Sequence, residues 1–190
     1  NGLDFSSTEI SFEVMADSVV FDATPELGSV SGGTMVAVRG QGFKNSSGLR
    51  CLFNGAASPT TRFVSESELL CEAPAHEEGA VRVEVRSNEA DAVKSAAQFT
   101  YVRQPRLLRI FPSPGFVGSS VRIYGNSFPN TQRLRCRFGA YEVPALWVSS
   151  LLLNCAVPTE VETDGSVSVS VSMNGADFID PGLDFEIVAA

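Results

Sequence analysis

Short segments in which apolar and polar residues alternate recur along the whole chain. In residues 81–85 the valines are separated by Arg82 and Glu84, and residues 34–39 and 121–123 follow the same pattern. Residues 166–172 alternate serine with valine, so we expect these serines to face solvent. A two-residue period is typical of half-buried antiparallel strands. No segment shows a sustained helical period, so the pattern predicts an all-β protein.

Turn signals separate these segments at short intervals. They are dipeptides that end in glycine: Asn54-Gly55, Glu78-Gly79, Asp164-Gly165, Asn174-Gly175 and Pro181-Gly182. Such pairs favour tight turns between strands. Several short strands separated in this way are typical of a β-sandwich.

The chain also repeats itself at a step of about 86 residues, which suits a small sandwich domain. The repeat is carried by landmarks that occur twice in the same order: residues 25–28 and 112–115, 51–53 and 136–138, 63–65 and 147–149, 70–74 and 154–158, and the valine strands that follow Gly79 and Gly165. We therefore expect one domain over residues 17–102 and a second over 103–190. The short joint around Pro105 has no Gly/Ser run, which predicts a stiff coupling and a rod.

Residues 1–16 match residues 174–189, and a third, weaker copy begins at Asn88. We expect residues 1–16 to be the closing strand region of a preceding domain. That domain belongs either to the same chain, as part of a longer protein, or to a neighbouring subunit completed by strand addition.

Charge and cysteine content restrict the class of function. The net charge is −8 and the pI about 4.7, which argues against nucleic-acid binding and against anionic membranes. No apolar run approaches the ~20 residues of a membrane span. The four cysteines lack zinc-type spacing and predict disulfides in an oxidising compartment.

The order of the landmarks resembles the IPT/TIG domain. The pattern is Pro-x-x-Gly, then residues 32–34 (Gly-Gly-Thr) with alternating valines, Cys-x-Phe, aromatic-Val-Ser, Cys-x-x-Pro, and a glycine before a valine strand. The second copy departs at residues 118–120, which read Gly-Ser-Ser. The resemblance implies two tandem immunoglobulin-like β-sandwiches of the kind found in plexins, some receptor ectodomains, certain transcription factors and large surface proteins of algae and protists. The acidic, cysteine-paired composition matches the extracellular branch.

Equivalent positions in the repeat predict that Cys51 pairs with Cys71 and Cys136 with Cys155. Phe63 and Trp147 lie between the paired cysteines. We interpret them as core residues, with a glycan-stacking platform as the alternative.

Arginine is concentrated in one segment. Residues 103–140 carry seven arginines and no acid, and Arg133, Arg135 and Arg137 alternate with apolar residues. A strand would place these three on one solvent face. The stripe is either a solubilising edge strand or an interface for an acidic neighbour or a sulfated glycan.

Other candidate chemistry is sparse. Asn45 begins an N-glycosylation sequon. Asp177, Asp180 and Asp184 do not have EF-hand spacing, so we predict no metal site. His76 is the only histidine, and no phosphate-binding glycine loop is present, so we predict neither an enzyme nor a cofactor.

These patterns favour a structural segment of a long extracellular or cell-surface protein. Its partners would be other copies of itself or neighbouring IPT/TIG domains, assembled end to end and laterally into a fibre, sheath or flagellar hair. The alternatives are the stalk of a plexin-like receptor and a carbohydrate-binding adhesin.

Overall fold

The computed structural model describes residues 18–87, 94–161 and 165–188. Within these residues the chain forms seventeen β-strands and no helix, which confirms the all-β prediction. The closing strand expected over residues 1–16 lies outside the described residues.

The first ten strands form one β-sandwich, here called the first domain. They are β1 (Val19–Thr24), β2 (Leu27–Ser29), β3 (Met35–Gln41), β4 (Arg50–Phe53), β5 (Ala56–Ala57), β6 (Thr61–Ser65), β7 (Glu68–Glu72), β8 (Gly79–Arg86), β9 (Lys94–Ser95) and β10 (Gln98–Val102). One sheet has the order β6-β7-β3-β1-β9 and the other the order β2-β10-β8-β4-β5. The immunoglobulin-like arrangement of two mainly antiparallel sheets is the one the sequence predicted.

The two sheets of the first domain enclose an aromatic core. In β3, Val36 and Val38 are fully buried and Met35 is exposed, which confirms the predicted alternation. The rings of Phe53 and Phe99 meet edge to face with their centroids 5.4 Å apart. Edge-to-face contacts of this kind add to the free energy gained by burying the rings.

The last seven strands form the second domain. They are β11 (Arg106–Phe111), β12 (Ser120–Asn126), β13 (Arg135–Phe138), β14 (Tyr141–Ser149), β15 (Leu152–Ala156), β16 (Gly165–Ser172) and β17 (Phe178–Ile187). Their order is β11-β12-β15-β14-β13-β16-β17. The long strand β14 pairs with β13 over its first half and with β15 over its second half, so it joins the two layers of the sandwich.

Both domains use the same close contact beside their first strand. Gly40 of β3 lies against a backbone carbonyl of β1 and the ring of Phe43. Gly125 of β12 lies in the same way against a carbonyl of β11 and the ring of Phe128. The repeat in the sequence is therefore also a repeat of packing.

The tight turn at Asn54-Gly55 confirms its sequence signal. Asn54 has φ 51° and Gly55 has φ 85°, as a two-residue hairpin turn between β4 and β5 requires.

The prediction for Pro181-Gly182 was wrong. These residues lie inside β17, where Val169 pairs with Leu183 and Val171 with Ile179. Two extra residues on β17 are accommodated as a bulge, with Gly182 at φ 69°.

The expectation that all serines of residues 166–172 face solvent was also wrong. Ser166 and Ser168 are exposed, but Ser170 and Ser172 are buried. Ser170 accepts a hydrogen bond from Arg137 Nε at 3.1 Å, and Ser172 Oγ accepts the backbone N–H groups of Asn174 and Gly175. This end of β16 is covered on both faces, and its buried hydroxyl groups are satisfied by hydrogen bonds.

Candidate functional site

The structure contains two disulfides, one in each domain. Cys51 of β4 is bonded to Cys71 of β7, and Cys136 of β13 to Cys155 of β15. The paired Cα atoms are 6.2 and 6.3 Å apart, and all four side chains are buried. In the first domain β4 and β7 belong to opposite sheets, so the bond ties the sheets together through the core.

Phe63 and Trp147 pack against the cores of their domains. Each is partly buried against the main apolar cluster. The Trp147 indole Nε1–H donates a hydrogen bond to Phe128 O at 3.1 Å. These contacts correspond to the core interpretation rather than to an exposed glycan-stacking platform.

The three candidate interface arginines do not form one solvent-exposed stripe on an edge strand. Strand β13 begins only at Arg135, and Arg133 lies in the turn before it. β13 pairs with β14 on one side and β16 on the other, so it is an interior strand. The expected edge-strand geometry was therefore wrong, because the alternation of residues gives a face but not the position of a strand in its sheet.

The arginines differ in how strongly the domain itself holds them. Arg137 is half-buried, with its guanidinium carbon 4.1 Å from the centroid of the Phe178 ring. Arg135 donates to the carbonyls of Leu134 and Gln132 at 2.9 and 3.2 Å. Arg133 is exposed. The cation most accessible to another molecule is thus Arg133, whereas Arg137 has a structural contact.

The sequon at Asn45 lies between β3 and β4. The side chains of Asn45, Ser46 and Ser47 are exposed. An exposed loop is where a glycan can be attached without disturbing the core.

The three aspartates near the end of the chain have different environments. Asp177 takes part in the contact between domains described below, and Asp180 Oδ1 accepts the N–H of Gly182. Asp184 is exposed on β17. Among the described residues no cluster of three or more His, Cys, Asp or Glu side chains could hold a metal ion.

A group of polar side chains joins the two domains. Thr34 Oγ1, in the first domain, donates to Asp177 Oδ2 of the second at 2.6 Å. Asn174 Nδ2 donates to Leu27 O at 3.0 Å and to Asp177 Oδ2 at 2.9 Å. Thr34 and Asn174 are each only 2% exposed. Hydrogen bonds to a carboxylate that are shielded from water are the stronger class.

The loop that makes this contact is held in shape before it meets the first domain. Asn174 Oδ1 accepts the backbone N–H groups of Ala176 and Asp177 at 3.0 and 2.8 Å, and the Ser172 hydroxyl also donates to it. Gly175 has φ 75°, which a residue with a Cβ rarely adopts. We call residues 174–177 the junction turn. Its internal hydrogen bonds fix the direction in which the Asn174 amide and the Asp177 carboxylate point.

The linker is anchored as well. Arg103 Nε forms an ion pair with Glu78 Oε2 at 2.9 Å, and Pro105 is buried. A cleft of about 240 Å³ between the domains is lined by Gly32 and Gly33 on one side and by Met173, Phe178 and Ile179 on the other. The ion pair is exposed and contributes little by itself, whereas the Thr34–Asp177 hydrogen bond is partly shielded from water.

A buried tyrosine lies directly before the linker. Tyr101 is fully buried, and His76 stacks on its ring with centroids 5.0 Å apart. Its hydroxyl has no hydrogen-bond partner among the described residues. Burial raises the pKa of Tyr101 to about 12 because removal from water disfavours the charged phenolate.

Sequence reasoning found the residues of the junction turn but not their role. In the sequence, Asn174 and Asp177 lie in the segment that matches residues 1–16. Thr34 was part of the Gly-Gly-Thr motif. Their contact spans 143 positions of the chain, and no local pattern indicates a pairing at that distance.

The comparisons with known proteins agree with this architecture. A family model described as the IPT/TIG domain matches residues 18–101 and 105–187. Fibrocystin-L of Mus musculus is 30% identical over 115 residues, which cover 60% of this chain and 3% of the mouse protein. Plexin-2 of Caenorhabditis briggsae is 27% identical over 158 residues, which cover 76% of this chain and 9% of that protein. The chain therefore spans a small fraction of these relatives.

Among solved structures, the Plexin A4 full extracellular region superposes with a TM-score of 0.54 at 18% identity. The superposition covers 83% of this chain and 15% of the Plexin A4 chain. At this identity the likeness concerns the fold alone. Across residues 18–87, 94–161 and 165–188, no helix has the length and apolarity needed to cross a bilayer.

Proposed function

Because the chain belongs to the IPT/TIG domain family, we propose that it is a stiff spacer within a long extracellular protein. The IPT/TIG fold is non-catalytic, and the recognition of the family from its motifs is confirmed. Disulfides and plexin relatives place the chain outside the cell or at its surface. The proposed role is to fix the distance and orientation of whatever lies at its two ends.

The observation that carries this proposal is the hydrogen-bonded contact between the domains, in which Thr34 and Asn174 are buried. A flexible pair of domains needs no specific contact, since independent movement is the default for a small polar interface. Here Thr34, Asp177 and Asn174 meet with defined geometry, and the linker is short and contains Pro105. Such a joint resists bending more than a flexible linker does.

The experiment compares the orientation of the domains in solution. Residual dipolar couplings are measured for the unchanged chain, for Asp177→Ala, and for Asp184→Ala as the matched control. Asp184 is also an aspartate of the second domain, but it is exposed on β17. We expect both domains to share one alignment tensor in the unchanged chain and in the control, and two different tensors in Asp177→Ala. Two tensors already in the unchanged chain would refute the spacer.

Assembly into a filament is the finer form of the proposal. Lateral contacts would use the exposed Arg133 and the half-exposed Arg135 against acidic groups of another copy, and these charge contacts would weaken with salt. The variant Arg133→Glu with Arg135→Glu tests this by sedimentation at low and high salt. Arg62→Glu with Arg82→Glu changes the net charge equally on exposed positions of the first domain. Self-association that only the first pair of substitutions abolishes supports the filament.

The stalk of a cell-surface receptor is the second candidate. The plexin relatives favour it. A stalk requires the same stiffness but no association between copies, so an unchanged chain that stays monomeric at all salt concentrations favours the receptor. Binding of a sulfated glycan by the same arginines is the third proposal. Heparin affinity that falls with the Arg133 and Arg135 substitutions would support it.

A further inference from the structure

We infer that the far end of the second domain is a docking surface for the junction turn of another IPT/TIG domain that follows in the same polypeptide. This inference rests on the spacer function proposed above and extends it from one joint to a series. The proximal end of a domain is defined here as the end that carries its junction turn. The distal end is the opposite one, which in the first domain includes Leu27 and Thr34.

The joint between the two domains defines what a distal end must offer. The first domain presents a hydroxyl donor, Thr34 Oγ1, and a carbonyl acceptor, Leu27 O. The junction turn presents the complementary groups, the Asp177 carboxylate and the Asn174 amide. The charged acceptor lies only on the junction turn, so the two sides of the contact are not interchangeable.

The second domain places the same two groups at its own distal end. Gly28 and Gly115 occupy equivalent positions, because each lies against a phenylalanine ring. A Cβ on Gly28 would be 2.7 Å from the ring of Phe99, and a Cβ on Gly115 would be 2.6 Å from the ring of Phe185. Leu27 and Pro114, which precede these glycines, are therefore equivalent as well. Leu27 O is the acceptor in the existing joint, and Pro114, which is exposed, stands at the same position in the second domain.

Ser119 is the counterpart of Thr34. The Thr34 carbonyl accepts the N–H of Ala73 at 2.8 Å, and the Ser119 carbonyl accepts that of Val157 at 2.8 Å. The preceding glycines repeat the pattern: the Gly33 N–H donates to Ala73 O, and the Gly118 N–H donates to Val157 O, both at 2.9 Å. A hydroxyl group thus stands at the same place in both domains. Residues 117–119 (Val-Gly-Ser) take the place of residues 32–34 (Gly-Gly-Thr), so Ser119 rather than Ser120 corresponds to Thr34.

The distal end of the second domain differs in that nothing in the described chain covers it. Thr34 is buried beneath the second domain, whereas Ser119 is half-exposed. The Ser119 hydroxyl donates to Phe116 O at 2.6 Å, and the Phe116 side chain beside it is 47% exposed. An incoming carboxylate would replace that carbonyl by a charged acceptor, which is the stronger bond. The exposed ring would be covered in the same step.

The test uses the full chain extended after Val188 by a second copy of residues 103–188, which supplies a known junction turn. The appended copy carries Ser113→Thr, at an exposed position, so that its peptides over residues 112–119 differ in mass from those of the original domain. Hydrogen exchange is followed by mass spectrometry over residues 112–119 and, as an internal reference, over residues 27–34. We expect residues 112–119 to exchange about tenfold more slowly in the extended chain than in the original one. Asp177→Ala in the appended copy should abolish this protection, and Asp184→Ala in the appended copy should not.

Three outcomes separate the hypotheses. If residues 112–119 gain no protection while 27–34 stay protected, the docking inference is wrong and the spacer stands. If neither segment is protected, the spacer is wrong too. Protection that persists in the Asp177→Ala copy would show that crowding by the appended domain, rather than the junction turn, shields this end, and would overturn the inference. Ser119→Ala should reproduce the loss seen with Asp177→Ala.

Discussion

A single methyl group at Gly40 should destabilise the first domain strongly. A Cβ at this position would lie 2.1 Å from Val19 O and 2.5 Å from the Phe43 ring. Gly40 does not have a positive φ, so the effect of Gly40→Ala is steric rather than conformational. The carbonyl belongs to the neighbouring strand β1, which would have to move to relieve the contact.

The magnitude follows from the cost of overpacking a rigid site. Extra methyl groups in well-packed cores typically cost about 1–3 kcal/mol. Here the clash involves backbone that cannot rotate away, so we expect a loss of about 3 kcal/mol. With an m-value of about 1.5 kcal/mol/M, the urea midpoint would fall by about 2 M. Gly125→Ala should have a similar effect on the second domain, because its Cβ would lie 2.4 Å from Arg106 O.

The two domains can be followed separately. Trp147 is the only tryptophan, so its fluorescence reports the second domain, while circular dichroism reports both. Gly40→Ala should shift a transition seen by circular dichroism, and Gly125→Ala the one seen by fluorescence. Gly165→Ala is the control, because its Cβ would enter open space. If Gly40→Ala and Gly165→Ala differ by less than about 0.5 kcal/mol, the packing argument is wrong.

Two further predictions concern the disulfides and the buried tyrosine. Replacing Cys51 and Cys71 by serine should lower the stability of the first domain by about 3 kcal/mol in urea unfolding, since the bond closes a loop of 20 residues. Non-reducing peptide maps check the pairing, and a disulfide between the two domains would contradict it. Burial raises the pKa of Tyr101 from 10.0 to about 12, so the folded state keeps a proton that the unfolded state loses. Stability should therefore fall by about 2–3 kcal/mol as the pH rises from about 10 to 12. Tyr101→Phe should remove this fall, and Tyr141→Phe, at an exposed position, should retain it; identical pH profiles for the two variants would refute the assignment.

The sequence predicted those features that depend on local pattern. Alternation identified β3 and β8, and the Asn54-Gly55 pair identified a hairpin turn, because the side-chain period and the turn residues are set by neighbouring positions. The repeat located the cysteines that the structure joins. Each of these signals is contained within a few residues or is doubled by the second copy.

Features that depend on distant residues could not be predicted in this way. Ser170 alternates like a solvent-facing residue, yet it is buried because Arg137 of another strand lies over it. The arginine pattern suggested an edge strand, but the order of strands in a sheet is a property of the whole domain. The Thr34–Asp177 contact requires both domains to be folded and placed, so neither residue alone signals it.

The chemistry of the joint explains why such domains can be added in series without associating at random. A large apolar surface at each end would also bury itself against other proteins, whereas this joint is specified by a buried hydroxyl, an amide and a carboxylate. Donor and acceptor groups are divided unequally: the distal end offers no carboxylate to Thr34, and the junction turn offers no hydroxyl to Asp177. Two distal ends could therefore offer each other only a hydroxyl and a backbone carbonyl, whereas a distal and a proximal end form the stronger hydrogen bond to a carboxylate, so contact between unlike ends is favoured. A heterologous contact within one polypeptide joins each domain to the next in sequence, so repetition extends the chain in one direction. A small polar joint binds weakly between separate molecules. Within one polypeptide the linker holds the two ends at a high effective concentration, so the same polar groups select the correct partner.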